Sequence, residues 1–87
     1  MKESLIEKYL KLRVREEGGQ CLKLRFVGRL GAPDRLVLLE NRHPLVELKA
    51  PGKKPRPSQI RLHTLLRWAG FEVYVIDNYE SVEELFK

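Results

Sequence analysis

The sequence predicts an α/β fold of order α-β-β-β-α-β-α, with a mixed central sheet flanked by helices, and three observations predict it. Two stretches, 3–17 and 58–69, repeat their apolar residues at helical spacing, whereas 36–39 and 45–49 are short continuous apolar runs separated by a turn. A third β-rich run follows the second helix, which is the order in which a strand joins an existing sheet across a helical connection.

Each element can be justified in turn. Leu5, Ile6, Tyr9, Leu10 and Val14 recur at steps of three and four, predicting a helix over Glu3–Glu17 that Gly18-Gly19 ends. Cys21 to Val27 leans towards alternation and predicts a strand, and Gly28 to Pro33 then reads as a loop. Leu36–Leu39 and Leu45–Lys49 are buried strands of a hairpin whose turn is residues 40–44. Residues 50–57, Ala-Pro-Gly-Lys-Lys-Pro-Arg-Pro, are a stiff basic loop. Ser58 can cap a helix through Ile60, Leu62, Leu65, Leu66 and Trp68, closed by Gly70. Phe71–Ile76 is aromatic and β-branched, and Ser81-Val82-Glu83-Glu84 matches a capping box for a short last helix. With no internal repeat and no linker, residues 1–87 form one domain.

Composition narrows the function classes. Hydrophobic residues at 43% and charged residues at 33% describe a globular chain rather than a disordered one. No apolar run reaches the roughly 20 residues that a membrane span needs, and Met1-Lys2-Glu3-Ser4 opens an amphipathic pattern rather than a signal sequence. A lone Cys21 excludes an internal disulfide and a cysteine-based zinc site, and suits the cytoplasm of a bacterium or of a phage-infected cell. Seventeen basic against twelve acidic residues give a net charge of +5, which makes polyanions plausible partners.

The chemistry is concentrated in the hairpin. Glu47 and Lys49 lie two residues apart, hence on one face, in a strand that otherwise reads as core. Asp34 stands at the mouth of the preceding strand, fixed by Pro33 and preceded by the permissive Gly31. Adjacent strands can thus bring two carboxylates together beside an ammonium. Buried carboxylates repel and lose hydration, so the arrangement is costly without a cation between them. Mg²⁺, with Mn²⁺ as a substitute, is the natural occupant, and the Leu48 carbonyl could be a further ligand. Lys49 would orient or deprotonate the attacking water. On its own, a Glu-x-Lys pair on a strand is usually a solvated edge and a Pro-Asp is usually a turn; their combination in consecutive strands is what carries weight.

Gly31-Ala32-Pro33-Asp34, Val46-Glu47-Leu48-Lys49-Ala50-Pro51-Gly52, Gln59 at a helix start, Gly70-Phe71-Glu72-Val73 and Val75-Ile76-Asp77 together resemble the virus-type replication-repair nuclease domain (VRR-Nuc), a branch of the PD-(D/E)XK nucleases. The resemblance covers essentially the whole chain and implies a restriction-endonuclease-like core. It implies Asp34 and Glu47 as metal ligands, Lys49 as the catalytic lysine and Gln59 as the helix glutamine beside the site. It also implies a glutamate on the first helix, for which Glu3 and Glu7 compete. At 100° per residue Glu3 projects between Leu10 and Val14, within the apolar arc, and Glu7 lies at its margin. Relatives often carry a serine-proline where this chain has Val27-Gly28-Arg29, so a phosphate contact there would fall to Arg29 or backbone amides.

Lys53, Lys54 and Arg56 are expected to contact phosphates, with Arg29, Arg61, Lys23 and Arg25 as further candidates against a solvated-surface reading. His63, one turn after Gln59 on the same helix face, could touch DNA or the reacting water, against the commoner reading of a packed or exposed histidine. Trp68 reads as core or dimer packing, and Tyr79 suggests no role. The expected protein is an Mg²⁺-dependent DNA endonuclease of DNA repair, acting on branched DNA such as Holliday junctions. A homodimer would supply one site per strand cut. It would need no membrane and no organic cofactor. A less selective or flap- and end-trimming nuclease, an RNase, and a non-catalytic DNA-binding protein are the alternatives.

Overall fold

The computed structural model describes residues 1–87. Helix α1 spans Glu3–Glu16, strands β1, β2 and β3 span Gln20–Lys23, Arg35–Leu38 and Leu45–Leu48, helix α2 spans Pro57–Trp68, β4 spans Val73–Ile76 and α3 spans Tyr79–Glu84. The four strands form one sheet in sequence order, with β1–β2 and β2–β3 antiparallel and β3–β4 parallel. This is the predicted mixed sheet, with α2 as the connection that a parallel pair requires.

Strand alternation assigns the sheet two faces. Val37, Val46, Leu48 and Ile76 meet Ile6, Leu10 and Val14 of α1 and Val82 and Leu85 from the α3 end. Leu45 and Val73 meet Leu62 and Leu66 of α2 on the other face. In β2–β3 the paired residues Arg35↔Val46 and Leu36↔Leu45 share faces, so Arg35 points towards α1 and Glu47 towards α2.

Some boundaries differ from expectation. The first strand stops at Lys23 rather than Val27, its pairing with β2 ending in the Leu24 N–H that donates to the Asp34 carbonyl at 2.9 Å. Helix α2 begins at Pro57, with proline in its favoured first-turn position, so Arg56 rather than Ser58 occupies the cap position. The last helix begins earlier too. Asn78 accepts from the Ser81 N–H at 2.6 Å while Ser81 Oγ accepts from the Asn78 N–H at 3.2 Å, so Ser81 closes a capping box instead of opening one. Phe71 precedes β4, its N–H closing the end of α2 on the Leu66 carbonyl. Trp68 is 83% exposed and so is not core. Tyr79 stacks on Tyr9 with ring centroids 4.6 Å apart, tying α3 to α1.

Candidate active site

The β2–β3 register, carried one residue beyond Arg35↔Val46, sets Asp34 opposite Glu47, on the face that α2 covers. Asp34 is held by the backbone of the neighbouring strand, its Oδ2 accepting from the Leu48 N–H at 2.8 Å. Gly31 makes the approach possible. Its φ of +94° is left-handed, and a Cβ there would collide with the Ser58 carbonyl at the start of α2. The Gly31-Ala32-Pro33 segment therefore lies tight against the helix that carries Gln59.

Glu47 is 1% exposed. Its Oε2 accepts from Gln59 Nε2 at 3.1 Å and lies 3.5 Å from Lys49 Nζ. The Gln59 amide is oriented from its other end, where Oε1 accepts from the Arg56 N–H at 2.7 Å. That contact requires the oxygen, so the nitrogen must face Glu47. Burial, then the negative charge of Asp34, push the Glu47 carboxyl up to about 7, and Lys49 opposes the shift. Here an acid is buried beside another acid with incomplete compensation. A cleft of about 270 Å³ opens next to this group, lined by Leu30, Gly31, Asp34, Arg56, Ser58 and Gln59.

Two buried atoms near the acids lack hydrogen-bond partners: Glu47 Oε1 and His63 Nε2, which face each other at 3.6 Å. His63 is 2% exposed, and its pKa is lowered by burial and by the positive charges of Arg67 and Lys49. The sequence offered this residue as a contact to DNA or the reacting water, or as a packed histidine, and not as a neighbour of Glu47. The signal was its one-turn spacing from Gln59.

The first-helix glutamates are elsewhere. Glu3 is exposed, because the buried stripe of α1 begins only at Ile6. Glu7 sits on the α1 face of the sheet, where its Oε2 accepts from Arg35 Nη2 at 2.9 Å and Nε at 3.2 Å. Neither joins Asp34 and Glu47, and no set of three acidic, histidine or cysteine side chains is assembled to hold a metal. The acidic donors brought together are the two carboxylates of Asp34 and Glu47.

Lys23, Arg25, Arg29, Lys53, Lys54, Arg56 and Arg61 are all exposed, and none takes part in a salt bridge. Lys53 and Lys54 follow the catalytic-candidate strand directly, and Arg56 lines the cleft. Arg61 points outward on α2, next to the exposed Ile60, Leu65 and Trp68.

No protein-family model matches the chain. A protein of Acyrthosiphon pisum secondary endosymbiont phage 1 named "Putative nuclease p44" is 46% identical over 81 residues, covering 92% of this chain and 87% of that protein. A solved structure described as "VRR_NUC domain" superposes with a TM-score of 0.88 at 38% identity, covering 97% of this chain and 92% of that one. No helix is long and apolar enough to cross a membrane. With the fold, the two acids and these relatives in agreement, the chain belongs to the VRR-Nuc domain family.

Proposed function

We propose that the protein is a metal-dependent DNA endonuclease that hydrolyses phosphodiester bonds and prefers branched DNA such as Holliday junctions. One observation carries the reading: Asp34 and Glu47 converge across the hairpin with the Lys49 ammonium 3.5 Å from Glu47. The names carried by the two relatives, a phage nuclease and a VRR_NUC domain, support the same chemistry.

The residues fit a hard divalent cation. Glu47 has a raised proton affinity beside a second acid, and that is relieved when a positive charge sits between the two. Asp34, Glu47 and the Leu48 carbonyl would hold Mg²⁺ or, in its place, Mn²⁺. When bound, the ion supplies a water of lowered pKa and neutralises charge on the scissile phosphate. Lys49, as an ammonium, would orient the attacking water and stabilise charge in the transition state. Gln59 keeps Glu47 in position. Lys53, Lys54 and Arg56 bind the phosphates flanking the cut, with Arg29, Arg61 and Lys23 as outer contacts.

One chain offers one acidic site, whereas resolving a junction takes two cuts. A two-fold homodimer supplies both. The exposed Ile60, Leu65 and Trp68 on the outer side of α2 support such an association.

Cleavage of four-way junction, flap, linear duplex and RNA substrates, with Mg²⁺ and with a chelator, tests the reading, alongside the mass in solution by light scattering. Junctions should be cut fastest, chelation should abolish cleavage, and the mass should be that of two chains. Asp34→Asn should lose Mn²⁺ binding and cleavage together. Equal rates on linear duplex would refute the branch preference, and chelator-resistant cleavage would refute the metal.

A further inference from the structure

We infer that His63 is a positioning residue for Glu47, donating its Nε2–H to Oε1 so that helix α2 grips both oxygens of the carboxylate. The inference rests on Glu47 being a metal ligand, as proposed above.

The two atoms involved are the buried side-chain polar atoms without a partner, and they face each other. Their 3.6 Å separation is longer than a hydrogen bond. It is also shorter than the roughly 4.5 Å that a bridging water would need between two heavy atoms. Neither atom has a hydrogen-bond partner, and Asp34, the other acid beside the Glu47 carboxyl, is an acceptor when ionised and has no hydrogen to offer Oε1. A bare imidazole nitrogen facing a carboxylate oxygen would set two lone pairs against each other, whereas a hydrogen on Nε2 satisfies both atoms with a contraction of a few tenths of an ångström.

The geometry of α2 explains what the contact achieves. Gln59 and His63 are one turn apart on the buried side of the helix. Gln59 Nε2 and Lys49 Nζ both approach Oε2. Held at one oxygen only, the carboxylate can still rotate about its last bond. A second contact, at Oε1, fixes its plane and so fixes the direction from which a cation meets it. Groups that orient a ligand in this way affect metal affinity and turnover without touching the substrate.

The test has two arms. In the unaltered protein, long-range proton–nitrogen NMR of the imidazole reads which nitrogen carries hydrogen; the Nε2–H form with slowed exchange is expected. A bare Nε2 accepting from a protonated Glu47 would give the other form and overturn the assignment. Variants supply the second arm. His63→Leu should weaken Mn²⁺ binding without DNA by about 10-fold and lower kcat similarly with KM for DNA unchanged, and His63→Gln, which keeps an N–H, should recover both to within about 3-fold. Unchanged Mn²⁺ affinity in His63→Leu, or a glutamine variant as poor as the leucine one, would overturn the role. If His63→Leu does not fold, the NMR result and His63→Gln still decide. If the unaltered protein cuts no DNA, the nuclease reading fails, while the NMR arm still reports on the contact.

Discussion

The two faces of the sheet each bury one charged side chain, and they treat it differently. On the α1 face Arg35, 5% exposed, is fully engaged: Nε and Nη2 donate to Glu7, and Nη1 donates to the Cys21 carbonyl. On the α2 face Glu47 has Gln59 and Lys49 at one oxygen, His63 3.6 Å from the other, and a second acid alongside. Arg35 is a charge the fold neutralises for itself. Glu47 is a charge the fold sets beside a second acid with only Lys49 against it, and that is the arrangement in which an external cation has something to contribute.

The largest effect expected from this contrast is catalytic. Lys49→Ala should lower single-turnover cleavage by about 10³-fold, with DNA affinity and melting temperature nearly unchanged. Full activity would remove Lys49 from the mechanism. Next comes the closed face. Glu7→Ala strands a buried guanidinium, and because Glu7 itself is partly solvated the cost should be about 2 kcal/mol in urea unfolding. Mn²⁺ affinity should not change. If it did, the two faces would not be independent.

The open face should behave in the opposite sense. Glu47 holds its proton more tightly in the folded chain than at its ordinary value of 4.5, with a folded value near 7. Below the ordinary value both states are protonated and nothing is lost. As the pH rises through that value and on through the folded one, the unfolded chain ionises first, so stability declines. The metal-free protein should lose on the order of 2 kcal/mol between about pH 5 and about pH 8. Glu47→Gln should flatten that decline and melt higher at the alkaline end, while losing Mn²⁺ binding. A steeper decline in the variant would sink the argument. The smallest effect concerns the unpaired cations: Lys53→Ala with Lys54→Ala should weaken DNA binding by about 10-fold at low salt and reduce the slope of log affinity against log salt by about two.

The order of elements, the hairpin and the juxtaposition of Asp34, Glu47 and Lys49 were legible because they depend on short-range rules: alternation, proline at a strand mouth, a charged pair inside an apolar run. What the sequence hid depends on packing between distant segments. Nothing local marks Arg35, and only the approach of α1 shows that Glu7 belongs to it rather than to the acidic pair. The helical wheel favoured Glu3 because it contains angles but no lengths, so it could not show that burial along α1 starts only at Ile6. His63 matched a packed histidine in every local respect. Its significance lies in what it is packed against.

One contact has a wider consequence. The side-chain amide of Gln59 joins Arg56, where the basic loop ends, to the buried carboxylate, 2.7 Å on one side and 3.1 Å on the other. The strap that would meet a nucleic acid and the acid that would meet an ion are thus joined through one side chain. Seating of the strap and aim of the acid cannot be adjusted separately.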